Sequence, residues 1–212
     1  MYLPGPTTMT TDEPLIAAIA AHGLLLLQDP ELANAVALLA GQTVRGSWWA
    51  HPRANAFYEA LTRVEAHPDV LAAKLVAGKV TFVHRRLWPA LLAVGICREP
   101  WQVGGLPRDS TRLLAELDAG RAIEPAGEGA RVLEQRLLAR AETIHSAGGK
   151  HVLRLEPWTA WAARVGCRAV DDVTAAKALL EAALVSLGGA MTLLPWRATG
   201  AAKPAARGST RS

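Results

Sequence analysis

Residues 42–95 hold most of the side chains in this chain that could do chemistry. Both Phe (Phe57 and Phe82), three of the seven Trp (Trp48, Trp49 and Trp88) and three of the six His (His51, His67 and His84) fall there. Taken on to Arg98, the stretch carries Arg45, Arg53, Arg63, Lys74, Lys79, Arg85, Arg86 and Arg98 against only Glu59, Glu65 and Asp69. Cations interleaved with aromatic rings suit a polyanion with stackable faces, because cations neutralise phosphates and an indole stacks on a base. Arg45, Lys74, Lys79, Arg85 and Arg86 are therefore the candidate nucleic-acid contacts. The adjacent pair Arg85-Arg86 carries the most weight, since the guanidinium fork meets phosphate oxygens two at a time. The competing reading makes Phe82 and Trp88 core residues and leaves the cations solvated or paired with Glu59, Glu65 or Asp69.

A second chemistry attaches to Arg45-Gly46-Ser47-Trp48-Trp49-Ala50-His51-Pro52. Two adjacent Trp before a helix can floor a pocket, with polar contacts from Arg45, Ser47 and His51. An enzyme with a nucleobase or small-molecule pocket around Trp48, Trp49, His51, His84 and Trp88 is thus the alternative function. A Trp plugging the gap between helices explains the same residues without one. Ser47 lies in no G-x-S-x-G elbow. The His residues have no zinc spacing: His51, His67 and His84 show no His-x3-His or His-Glu-x-x-His relation, and His145 and His151 are six apart with two glycines between. Asp69 with Lys74 lacks the second carboxylate of a divalent-ion nuclease, the residues between being Val70, Leu71, Ala72 and Ala73. With no GxxxxGK(S/T) and no GxGxxG, neither a metal nor a cofactor is called for.

The overall charge of +4 is a weaker hint than it looks. Arg197, Lys203, Arg207 and Arg211 in the acid-free stretch after Trp196 account for it, so the body is neutral as a whole. Within the body, residues 1–41 carry Asp12, Glu13, Asp29 and Glu31 with no Lys or Arg, and the basic stretch follows. Asymmetry of that kind steers anionic partners. Cys97 and Cys167 lie outside any CxxC spacing and read as buried free thiols in a reducing compartment. No basic segment followed by an apolar core opens the chain, and the apolar run at 15–27, broken by His22 and Gly23, falls short of the roughly 18–20 residues that span a bilayer. A cytoplasmic protein without a membrane partner is expected.

The elements that must position these residues follow from period and punctuation. Asp12-Glu13-Pro14 starts a helix with Leu15, Ile16 and Ile19 inward, ended by Gly23. Leu24 to Leu27 is too short to assign to strand or helix by period. Asp29-Pro30-Glu31 starts a second helix with Leu32, Val36 and Leu39 inward and Gly41 as its stop. His51-Pro52 opens a helix to about Glu65 whose buried face is Phe57, Leu61 and Val64. Two β-rich runs joined at Ala77-Gly78 form a hairpin. Pro89 sits in the first turn of a helix bearing Leu91, Leu92 and Ile96.

Pro100, Gly104, Gly105 and Pro107 mark a boundary. Beyond it come a helix over 108–119, a second over 131–145 with Val132, Leu133, Leu137, Ala141 and Ile144 inward, a Gly148-Gly149 stop and a strand at 150–155. Glu156-Pro157 then starts a short helix with Trp158 and Trp161, and Asp171-Asp172 caps a last amphipathic helix whose apolar side could take a protein partner. The expected fold is α+β and mainly helical, in two lobes: 12–98 with the hairpin and the basic-aromatic core, and 107–195. Residues 196–212 read as a disordered basic tail. The second lobe fits a winged-helix-like layout, with Arg136 and Arg140 on its longer helix facing a groove.

Two resemblances attach to quoted residues. Arg45-Gly46-Ser47-Trp48-Trp49, His51-Pro52, Lys74-Leu75-Val76, Gly78-Lys79-Val80-Thr81 and Val83-His84-Arg85-Arg86-Leu87-Trp88-Pro89 resemble the core of an uncharacterised bacterial protein family. They cover about a quarter of the chain and imply no activity. Leu137-Leu138 through His145, Gly149 and the stretch 153–158 are similar in pattern to the winged-helix modules of bacterial DNA glycosylases that excise alkylated bases. The glutamine-bearing catalytic motif of those enzymes is not recognisable here, so the similarity extends to the fold alone. The leading expectation is a nucleic-acid-binding accessory or regulatory protein.

Overall fold

The computed structural model describes residues 12–125, 127–145 and 151–197. Among these the order is α1 (Glu13–His22), β1 (Leu24–Leu26), α2 (Ala35–Ala40), α3 (Ala54–Glu65), β2 (Val70–Val76), β3 (Lys79–His84), α4 (Trp88–Ile96), α5 (Pro100–Val103), α6 (Arg108–Asp118), α7 (Glu128–Gln135), β4 (Arg140–His145), β5 (His151–Glu156), α8 (Trp158–Val165) and α9 (Val173–Ser186). Single 3-10 turns stand at Trp48–Ala50, Arg85–Leu87 and Met191–Leu193. The protein is α+β and mainly helical, with an antiparallel sheet in the order β1-β3-β2 and a separate β4-β5 ladder. Among the described residues no helix is long and apolar enough to cross a membrane.

The first sheet is built as its sequence requires. Ala77 and Gly78 both take positive φ, 50° and 68°, the pair of left-handed residues that matches a two-residue turn to strand twist. Leu24–Leu26 resolves as a strand on β3, and Gly23 at φ 84° turns the chain out of α1 into it. Thr81 is buried between β1 and β2. Its hydroxyl donates to the Lys79 carbonyl and accepts the Val76 N–H where the register slips between Ala73 and Val76.

α3 buries Phe57, Leu61 and Val64, and α4 buries Leu91 and Leu92, as their spacing implies, but Ile96 is exposed. Two helix starts differ from expectation. α2 begins at Ala35, where the Asn34 side chain accepts the Ala37 N–H; Asp29 instead accepts the N–H groups of Glu31 and Leu32 in a turn of its own. Asp12 precedes α1 without a side-chain cap, its carboxylate meeting Arg63 at 2.8 Å.

The larger correction concerns 131–145. α7 ends at Gln135, Leu137 takes φ 53°, and Arg140–His145 is a strand paired with β5 from Arg140 opposite Glu156 to His145 opposite His151. Leu137, Leu138 and Ala139 are all buried, so the apolar positions that mimic a helical stripe are a continuous run through the core. The helix that would have reached a groove is thus absent among the described residues. Arg136 donates to the carbonyls of Gln102 and Gly104, while Arg140 bonds Glu142 and Glu156. The glycine stop at 148–149 lies outside the described residues.

The cores do not divide at residue 107. One cluster joins the sheet and α1–α4 to Leu137, α8, α9, Leu194 and Trp196; a smaller one gathers Leu113, Leu114, Leu117, Ala130, Leu133, Leu138, Ala139 and Leu155. Trp158 and Trp161 return the chain to the first lobe. Trp161 lies edge-on to Trp88 at 5.3 Å, and the Trp158 indole donates to the Leu137 carbonyl at 2.8 Å. The stretch at 99–107 is tied down as well: Gln102 is buried and its amide donates to the carbonyls of Val94 and Arg136. Of the expected tail at 196–212, Trp196 is instead buried with its indole N–H on Glu181 and Arg197 grips that carboxylate at 2.8 and 3.0 Å, while 198–212 lie outside the described residues.

Candidate functional site

The expected phosphate contacts on the hairpin are matched to carboxylates from elsewhere in the chain. Lys74 meets Glu134 of α7 at 2.6 Å, Lys79 meets Asp29 at 2.6 Å and Arg85 meets Asp69 at 3.0 Å. Only the last partner was among the acids in the sequence neighbourhood. Asp29 shows what such a pairing does. Burial alone would raise its carboxyl, but hydrogen bonds from Lys79, Glu31 and Leu32 hold it below the usual carboxylate range. Arg86 has a different task, donating to the Ala21 carbonyl at 2.9 Å in the last turn of α1, where a cation suits the helix dipole.

The three histidines of the stretch share one local role. The backbone N–H two residues ahead donates to the ring Nδ1 of each: Arg53 to His51 at 3.1 Å, Asp69 to His67 at 3.1 Å and Arg86 to His84 at 3.3 Å. Each imidazole thus closes a turn just before α3, β2 or the Arg85–Leu87 turn. Burial, then the charge of Arg86, pushes His84 below the usual imidazole value. His51 lies against Phe57 with ring centroids 4.7 Å apart, whereas His84 sits among Asp69, Arg85, Arg86 and His67, so the two are not brought together. Trp88 is a core residue whose indole donates to the Val83 carbonyl at 3.1 Å. A cleft of about 490 Å³ opens beside α6, where Asp109, Arg112, Glu116, Glu124 and Glu128 line it; none of the five pocket candidates does. Cys97 and Cys167 are free, and burial pushes both thiols up, away from the nucleophilic thiolate.

The geometry does assemble a surface around the paired tryptophans. Gln28 donates its amide to the carbonyls of Val44 (3.2 Å) and Gly46 (2.7 Å), which fixes the loop before them. Trp48 is 8% exposed and belongs to the core, while Trp49, stacked on it at 4.0 Å and 24°, is 58% exposed. Tyr58, one helical turn into α3 and 39% exposed, stands 5.6 Å from Trp49. Arg45 is exposed in the same loop. Arg53 is exposed at the start of α3, its guanidinium 5.4 Å from the Phe57 ring and donating to the Leu39 carbonyl. Among the described residues neither Arg45 nor Arg53 forms an ion pair, in contrast to Arg63, Lys74, Lys79, Arg85 and Arg98. Sequence reasoning passed over Arg53 and Tyr58. Their signal was the run from Trp49 to Tyr58, in which a 3-10 turn and one turn of helix bring residues nine apart together.

No protein-family model, no curated protein and no solved structure matches the chain. The functional reading therefore rests on its own residues.

Proposed function

We propose that the protein is a nucleic-acid-binding accessory or regulatory protein whose contact face is the Arg45–Arg53 edge rather than the hairpin. The observation that carries this reading is the difference in charge pairing. Lys74, Lys79 and Arg85 each have a carboxylate partner, which offsets their charge towards a phosphate, and Arg86, which has none among the described residues, is held on the Ala21 carbonyl. Arg45 and Arg53 keep their charge unpaired among the described residues, on the one edge of the stretch that also exposes an indole. Counterion release from two such contacts gives a log–log salt slope of roughly −1.4 to −1.8.

The test is a salt series on the full chain with Lys203, Arg207 and Arg211 replaced by Ala, so that tail cations cannot mimic a site. Replacing Arg45 and Arg53 by Ala is expected to weaken binding and flatten the log–log salt slope by roughly 0.7–0.9 per lost contact. Lys74→Ala with Lys79→Ala is expected to leave the slope unchanged. The opposite pattern returns the site to the hairpin, and no salt-dependent binding at all removes the nucleic-acid reading.

A further inference from the structure

We infer that the Trp49–Tyr58 surface is a base-stacking platform and that the preferred ligand is single-stranded nucleic acid; this rests on the nucleic-acid reading of the same face. The rings are held before any ligand arrives. Trp48 is anchored in the core, Trp49 lies on it nearly parallel, and Gln28 clamps the loop that leads into both. An exposed indole fixed by a buried one loses little rotamer freedom on binding, which favours stacking of a planar ligand over a contact that must order itself first. A base within a duplex has both faces covered by its neighbours, so an aromatic platform can take only a base that is unpaired or flipped out.

Size separates this from a protein interface. A stable protein contact buries about 800 Å² per partner around an apolar centre. Here the exposed residues beside the two rings in sequence, Ala50, Pro52, Asn55 and Glu59, are small or polar and offer no such apolar centre. Arg45 on the loop and Arg53 on α3 flank the rings in sequence and supply cations for the adjoining phosphates.

The experiment is fluorescence anisotropy of the full chain with a labelled mixed-sequence DNA strand and with the same strand annealed to its complement. The strand is expected to bind more tightly than the duplex. Trp49→Ala should weaken strand binding by roughly 5- to 150-fold, the range that loss of one stacked base gives, and leave duplex binding unchanged. Tyr58→Ala should act in the same direction, and Trp49→Phe should restore most of the loss. Both rings are exposed, so an intact far-ultraviolet circular dichroism spectrum is expected for every variant. Equal binding of strand and duplex, untouched by Trp49→Ala, overturns the platform while the nucleic-acid reading survives. Absence of binding to both overturns the two together. Weakening of strand and duplex alike by Trp49→Ala also overturns the platform, because it makes the ring a support for the loop rather than a partner of a base.

Discussion

At the scale of the residue, partners decide what a charge is for. Glu156 is 3% exposed and bonds both Arg140 and Arg164, the latter through two contacts at 2.7 Å. Burial would raise its carboxyl, but the two guanidinium groups hold it below the usual range. Glu156→Ala takes one of two carboxylates from the largely buried Arg140, leaving Glu142, and removes the partner of Arg164; it is expected to cost about 1.5–3 kcal/mol in urea unfolding, and a change below about 1 kcal/mol contradicts that role. His84 gives the clearest pH signature. Its folded value is depressed, so the neutral form is favoured in the native state. The unfolded chain takes up a proton below about pH 6.5, and stability therefore falls as pH drops from there towards the lower folded value. His84→Asn keeps an acceptor for the Arg86 N–H and should remove this part of the slope below about pH 6.5. An unaltered slope places the titration elsewhere.

At the scale of the element, turns and close approaches set the cost of single changes. Ala77 holds a left-handed conformation that costs an L-residue about 1–2 kcal/mol and that Asn tolerates better. Ala77→Asn is expected to raise the unfolding free energy by about 1 kcal/mol, and a loss of stability would show that the turn is not strained. Gly95 in α4 lies under Trp158, where an added Cβ would come within 2.7 Å of the indole. Gly95→Ala should therefore cost about 1–3 kcal/mol by displacing the ring that bonds the Leu137 carbonyl. A neutral result means that α8 can shift without penalty. Elements whose signals are local were legible in the sequence: the Ala77-Gly78 hairpin, Pro89 in the first turn of α4, and Asp172 capping α9 through the Thr174 and Ala175 N–H groups. Where apolar residues run without a break, period gives no answer. Leu137 to Ala139 fits a helical stripe as well as a buried entry to β4, and only the Glu156 partner of Arg140 across the ladder separates the two. The site was legible as a stretch but not as a surface. Nothing local in Lys74 or Lys79 reveals that Glu134 and Asp29, dozens of residues away, neutralise them.

At the scale of the whole molecule, the chain closes on itself. α8, α9 and Trp196 return to pack with the first sheet, so a chain cut after Pro195 loses a core ring as well as the Arg197 contact to Glu181. Trp196→Ala is expected to cost about 3–5 kcal/mol, as for other buried Trp, and an unchanged melting temperature contradicts its place in the core. Folding brings carboxylates to Arg63, Lys74, Lys79, Arg85 and Arg98 and leaves the edge from Arg45 to Tyr58 with cations that have no carboxylate partner among the described residues, beside exposed rings. Where a nucleic-acid strand lies on the protein is the most direct test of this account. A strand carrying a photoreactive thymine analogue, cross-linked to the full chain and mapped by tryptic peptides, should label the peptides at 46–53 and 54–63. Labelling confined to the hairpin at 74–86, or to the segment after Arg197, would contradict the account.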